Sequence, residues 1–183
     1  MRAKKEEPSD HRPQTPEAVQ AYVSLGSNLG DRALNLLLGV RGMLSAGLAV
    51  KRLSHVYETE PVDVREQPPF LNMVAELRLQ SLTPEQTLAR LLRVEYALGR
   101  RRDVPRGPRN IDLDLLLYGT QTRETDFLVL PHPRLHLRRF VLTPLAELSP
   151  ALLHPILAKT MSQLLAEVAD DSEVLRWSPG GAT

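Results

Sequence analysis

The sequence predicts an α+β protein of the ferredoxin-like type, a mostly antiparallel sheet with helices packed on its faces. Three observations lead there. Hydrophobic periodicity switches along the chain between two, the repeat of a strand, and 3.6, the repeat of a helix. The elements so defined run in the order β-α-β-β-α-β, which puts two helices together on one face of the sheet. Finally, 42% hydrophobic against 25% charged residues in a chain of 183 is enough apolar material for one ordinary core, and too short for two full domains.

Each element has its own signature. Ala21, Val23 and Leu25 alternate with Tyr22 and Ser24, which is a strand pattern. The turn Gly26-Ser27-Asn28-Leu29-Gly30-Asp31 follows, then a helix whose buried side is expected to carry Leu34, Leu37, Val40, Met43 and Leu44. Residues 50–57 read as a second strand. After a proline-rich loop, Leu71, Met73, Ala75, Leu77 and Leu79 alternate strictly with Asn72, Val74, Glu76 and Arg78, the best strand in the chain. Thr83-Pro84-Glu85-Gln86 is a capping box with proline at the first helical position. That helix runs through Leu88, Leu91 and Leu92 and stops near Gly99. Residues 111–118 are a fourth strand, and short helices are expected over 144–148 and 161–168. Residues 1–18 and 178–183 read as disordered tails flanking a single domain over 19–177.

Composition excludes several function classes. The chain has no cysteine, which removes disulfides, cysteine zinc sites and a thiol nucleophile. A formal net charge of +1 argues against binding nucleic acid by bulk charge. No apolar run is long enough to span a bilayer, and the polar first twenty positions make a secretory signal peptide unexpected. A soluble, cytoplasmic monomer is the expectation.

The strongest local signal is Arg109-Asn110-Ile111-Asp112-Leu113-Asp114-Leu115-Leu116-Leu117-Tyr118. In a strand, Asp112 and Asp114 point to one face, with Ile111, Leu113, Leu115 and Leu117 on the other. Adjacent carboxylates repel unless a cation lies between them, and magnesium shared with phosphate oxygens suits the pair. A solvated strand face with two acids at its start is the alternative from spacing alone. The preceding segment, residues 99–109, is dense in arginine: Arg100, Arg101, Arg102, Arg106 and Arg109. Guanidinium groups bind phosphate bidentately, and cations beside paired acids are what phosphoryl transfer requires. A basic loop or a nucleic-acid patch is the competing reading, but aromatic residues are 4% of the chain, so base stacking has few candidates.

Weaker signals surround these. Phe70 and Asn72 share a strand face, which suits a flat hydrogen-bonding heterocycle; taken alone, a core Phe70 and a turn Asn72 is the simpler reading. Glu95 falls on the apolar side of its helix, to be matched by a nearby arginine or to support a metal site from behind. His132 and His136 are four apart, but Pro131 and Pro133 exclude the helix a zinc pair needs, and His132 near Arg134, Arg138 and Arg139 reads as a phosphate contact. The Gly26–Asp31 turn is a weak candidate for cradling phosphate, and it lacks the P-loop lysine.

Together these segments resemble the 6-hydroxymethyl-7,8-dihydropterin pyrophosphokinase family of folate biosynthesis. The similarity rests on YVSLGSNLGDR (22–32), YETEPVDVREQPPFLN (57–72), EYALGRRRDVPRGPRNIDLDLLLYG (95–119) and LPHPRLHLRRFVLTPLAEL (130–148). It implies transfer of pyrophosphate from ATP to the pterin's hydroxymethyl oxygen with release of AMP. It implies two Mg2+ ions on Asp112 and Asp114, and a pterin held around Thr59, Val62, Phe70 and Asn72 with Phe140 on its other side. Arg100, Arg102, Arg109, His132 and Arg138 match ATP-binding positions, and of these Arg100, Arg109 and His132, with the supporting acid Glu95, match catalytic ones. Residues 101–107 match a loop that closes over the substrates. Arg106 stands where many members carry an aromatic, and Asp63 where glycine is usual. The rival readings are another metal-dependent phosphoryl or nucleotidyl transferase, and an RNA-binding module of the same topology.

Overall fold

The first strand, β1 (Val19–Ser27), is buried on both faces over most of its length and lies inside the sheet. The computed structural model describes residues 17–61, 67–100 and 107–180 of the chain. The tail residues 1–16 and 181–183, Val62, Asp63 and the arginine-rich residues 101–106 lie outside the described residues.

β1 pairs antiparallel with β4 (Phe70–Leu79) on one side and with β5 (Asp112–Tyr118) on the other. Along the far edge of β4 run two short strands, β2 (Val50–Leu53) and β3 (Tyr57–Thr59), and β3 pairs with β8 (Val174–Arg176). The order β5-β1-β4-β3-β8, with β2 beside β4, is the ferredoxin-like arrangement if β2 and β3 count as one interrupted strand. The expected single strand over 50–57 breaks because Ser54 takes the pairing over: its N–H donates to Val74 O at 2.9 Å, and its Oγ accepts from Val74 N–H at 2.9 Å.

Two helices, α1 (Arg32–Ser45) and α2 (Pro84–Ala97), cover one face. Between them and the sheet lie Ala21, Val23, Leu25, Met43, Leu77 and Leu91, all fully buried. α1 buries only part of the side expected of it: Met43 is fully buried and Val40 packs against the core, but Leu34, Leu37 and Leu44 are 47%, 64% and 53% exposed, and Leu36 and Gly39 are buried in their place. The reason is two glycines that a hydrophobicity pattern cannot see. A Cβ on Gly42 would lie 2.5 Å from Val94 Cγ1, and one on Gly39 3.1 Å from Ile111 Cδ1. Close approach of α1 to α2 and to the segment entering β5 therefore decides which side of the helix turns inward.

The second face is also covered. α3 (Arg139–Leu148) and α4 (Met161–Glu167) pack over Tyr22, Val74, Leu116 and Leu117. Leu117 was expected beside Leu113 and Leu115. Instead the register shifts opposite Tyr22 and Val23, Leu116 becomes the extra residue, and Leu117 turns to the second core. α3 begins five residues before the expected 144–148 and holds Pro144 inside it. One backbone bond is forfeited there, and burial of Val141, Leu142, Leu145 and Leu148 offsets it. The hairpin β6 (Arg123–Glu124) and β7 (Val129–Leu130) had no sequence signal, nor did β8. The capping box at Thr83 and the left-handed Gly99 (φ 78°) that follows α2 are as expected.

Candidate active site

One row of residues across three strands organises the site. Gly26 of β1 is paired with Asn72 of β4 on one side and with Asp112 of β5 on the other. A Cβ at Gly26 would come within 2.8 Å of Asn72 Oδ1, so only glycine lets that amide lie over β1. With strands about 4.8 Å apart, Asn72 and Asp112 stand about 10 Å from each other across this gap.

At the β5 end, alternation puts Asp112 and Asp114 on the α3 side of the sheet, away from Ile111, Leu113 and Leu115 in the first core. Asp112 Oδ1 accepts from Arg100 Nη1 at 2.5 Å, and its Oδ2 lies 2.6 Å from Arg109 Nε. Burial pushes the Asp112 carboxyl up, but the charges of Arg109 and Arg100 outweigh it and hold it below the ordinary range. Asp114 is pushed up to about 6, first by burial and then by the charge of Asp112. Glu95, buried on α2, accepts from Arg100 Nη1 and from the Leu113 N–H, the latter at 2.7 Å. It thus grips the peptide between the two aspartates.

At the β4 end, Asn72 Nδ2 donates to Thr59 Oγ1 at 2.7 Å, and both residues are buried. The two aromatic candidates each carry an arginine: the Arg109 guanidinium lies 5.1 Å from the centre of the Phe70 ring, and Arg138 lies 5.3 Å from that of Phe140.

His132 follows the cis peptide Leu130–Pro131 and is tied to the sheet by its N–H, which donates to Leu116 O at 2.9 Å. Its Nδ1 accepts from the Arg134 N–H at 3.2 Å, which places the proton of the neutral ring on Nε2. Burial first, then the charges of Arg138 and Arg134, lower its pKa to about 4. His132 is therefore a neutral hydrogen-bond donor across the physiological range.

A profile of the 7,8-dihydro-6-hydroxymethylpterin-pyrophosphokinase (HPPK) family matches residues 22–150. The chain belongs to this family. It is 45% identical over 129 residues to a 2-amino-4-hydroxy-6-hydroxymethyldihydropteridine pyrophosphokinase of Bacillus subtilis, covering 70% of this chain and 77% of that protein. With the enzyme of the same description from Aquifex aeolicus it shares 37% over 146 residues, covering 80% and 90%. It is also 40% identical over 154 residues to the folic acid synthesis protein fol1 of Pneumocystis carinii, where it covers 84% of this chain but spans only 20% of that longer protein. In fold it is similar to the HPPK-DHPS of Plasmodium falciparum, with a TM-score of 0.65 at 14% identity, covering 84% of this chain and 46% of that one.

In this family member a chain of contacts links Asn72, Thr59, Phe70, Arg109, Asp112, Arg100 and Glu95. Arg138 lies over Phe140, and its charge lowers the pKa values of both Asp114 and His132. Val62, Arg102, Asp63 and Arg106 fall outside the described residues. The Gly26–Asp31 turn is held by its own side chains. Asp31 caps α1 by accepting from the Leu34 N–H at 3.0 Å. Asn28, 2% exposed, exchanges hydrogen bonds with the backbone of Arg109 in both directions, and its Nδ2 donates to Gln67 Oε1 and Pro68 O. Asn28 thus ties the approach to β5 to the approach to β4. The available signal was an asparagine inside a Gly-Ser-Asn turn, a side chain able to satisfy two strands of backbone at once.

Proposed function

We propose that this pyrophosphokinase transfers the pyrophosphoryl group of ATP to the hydroxymethyl oxygen of 6-hydroxymethyl-7,8-dihydropterin, and that residues 19–177 do so as a single domain, a cytoplasmic monomer. The observation that carries this reading is the row Asn72–Gly26–Asp112. An amide suited to a pterin edge and a carboxylate suited to a metal–phosphate complex face one another across a strand with no side chain between them.

The donor set fits magnesium. Two carboxylates project from one strand face, and the repulsion that raises Asp114 is relieved by a divalent cation between them. Asp112 and Asp114 would hold two such ions, which when bound supply charge neutralisation to the polyphosphate. Arg100 and Arg109 already neutralise Asp112; on the same side they are within reach of a phosphate chain and screen its charge. Arg138, stacked on Phe140, does the same from α3. Neutral His132 donates from Nε2 to a phosphate oxygen without contributing net charge. Glu95 keeps Arg100 and the peptide of Leu113 in register. Thr59 and Asn72 read the pterin edge, and Phe70 and Phe140 contact its faces. The new bond forms from the pterin oxygen to the β-phosphorus, the bond from that phosphorus to the AMP oxygen breaks, and the hydroxyl proton is released to solvent. Catalysis on this reading is positioning and charge stabilisation.

The test is product analysis with purified protein, ATP, Mg2+ and the pterin. AMP and a pyrophosphorylated pterin are the expected products, and ADP would refute the reading. Asp112→Ala should lower turnover by about 10³-fold or more, since several kcal/mol of charge stabilisation goes with the ligand; near-full turnover would remove Asp112 from the metal site.

A further inference from the structure

The matched family segment ends at residue 150, yet the segment after it reaches back to both walls of the site. β8 extends the sheet beside β3, with Val174 paired to Thr59. A little earlier, Asp170 meets the start of α3. The residue at the N-cap position of α3 is Arg138, whose side chain makes no capping hydrogen bond. The first helical N–H, that of Arg139, is instead taken by Asp170 Oδ2 at 2.8 Å. The contact is reciprocal, because Arg139 Nε donates to Asp170 O at 2.6 Å. The other carboxylate oxygen is held as well, accepting from the Ser172 N–H at 3.0 Å. Asp170 therefore has one orientation, and it grips the single residue that separates Arg138 from Phe140.

We propose that Asp170 is a positioning residue for the transfer reaction, capping α3 from the carboxy-terminal segment so that Arg138 and Phe140 meet the substrates in a fixed geometry. An anionic cap suits a helix start, where orphan N–H groups and the positive end of the helix dipole lie together. Without it the first turn of α3 frays. That turn bears Phe140, and Arg138 stands directly before it. Asp170 touches neither substrate. Its effect runs through the backbone of Arg139, and it rests on the assignment of Arg138 and Phe140 to the site.

The test uses the full chain, with ATP, Mg2+ and 6-hydroxymethyl-7,8-dihydropterin as probes. Asp170→Ala is compared with Asp170→Asn, which keeps a carbonyl acceptor in nearly the same place. It is also compared with Thr160→Ala, which removes the equivalent cap from α4, where Thr160 Oγ1 accepts from the Gln163 N–H. Both alanine variants should lower Tm by a few degrees, about 2–4 °C each. Only Asp170→Ala should raise the KM values, by about tenfold, as expected when reacting groups are misplaced by a fraction of an ångström. Asp170→Asn should recover most of that loss. Unchanged KM values in Asp170→Ala, or an equal rise in Thr160→Ala, would overturn the proposal. Arg138→Ala and Phe140→Ala separate the two levels. If they alter KM while Asp170→Ala does not, only the positioning role falls; if they too are silent, the site assignment falls and the positioning role with it.

Discussion

Replacing Asp114 with asparagine should make the metal-free protein more stable while abolishing its activity. The Asp114 carboxyl is raised from 3.8 to about 6, by burial first and by the neighbouring Asp112 second. An acid whose folded pKa exceeds its unfolded pKa holds more protons when folded, so its contribution to stability falls as pH rises. Below the unfolded value both states are protonated and nothing is lost. Between there and about 6 the penalty grows, and above that it is complete. A shift of about two units corresponds to about 3 kcal/mol at most, and partial access of water to the site reduces this to about 1–2 kcal/mol. Asparagine has nearly the same shape and cannot ionise, so it removes the penalty. For a chain of this length each kcal/mol is worth about 2–4 °C in Tm. Thermal unfolding in a chelating buffer should therefore show Asp114→Asn melting about 2–8 °C above the parent near pH 8 and level with it near pH 4. Release of AMP by the same variant should be lost. A stability difference of the same size at both pH values, or a variant less stable near pH 8, would refute the reasoning.

Two other outcomes follow from the geometry. Gly42→Ala should destabilise the fold by about 1–3 kcal/mol, measured by urea unfolding, because its Cβ would press on Val94 and force α1 from α2; a gain in stability would mean the helices are not in such contact. His132 should stay neutral with its proton on Nε2 down to about pH 4, which a nitrogen-15 NMR titration of the imidazole reads directly, and a midpoint near 6.5 would mean that the ring is not buried beside Arg138 and Arg134.

Much of the candidate site was legible in the sequence because its parts are local. Asp112 and Asp114 lie two apart on one strand, and period two alone puts them on one face. The arginines precede them within the same segment, and Glu95 stands out as a carboxylate on an apolar helix side. The contacts that hold these groups together span long separations and left no pattern. Asn28 bridges to Arg109 across 81 residues, and Asp170 reaches Arg139 across 31. Arg32 Nη1 joins Pro69 O at 2.8 Å to Glu58 Oε1 at 2.7 Å, bracing the residues next to Phe70 and Thr59. None of these side chains is unusual in its local setting.

By itself the sequence determined the β-α-β-β-α-β order of the main strands and helices, the capped start of α2, the pairing of two acids, and the family. Those are set by spacing along the chain, where steric periodicity and local hydrogen bonds act within a few residues. Only the tertiary structure decided which side of α1 turns inward, where β5 bulges so that Leu117 changes face, and which arginine covers which ring. Each of these depends on contacts between segments distant in sequence. For α1, and for Asn72 over β1, the approach is set by atoms that are missing from Gly39, Gly42 and Gly26, and a hydrophobic pattern registers only the atoms that are there.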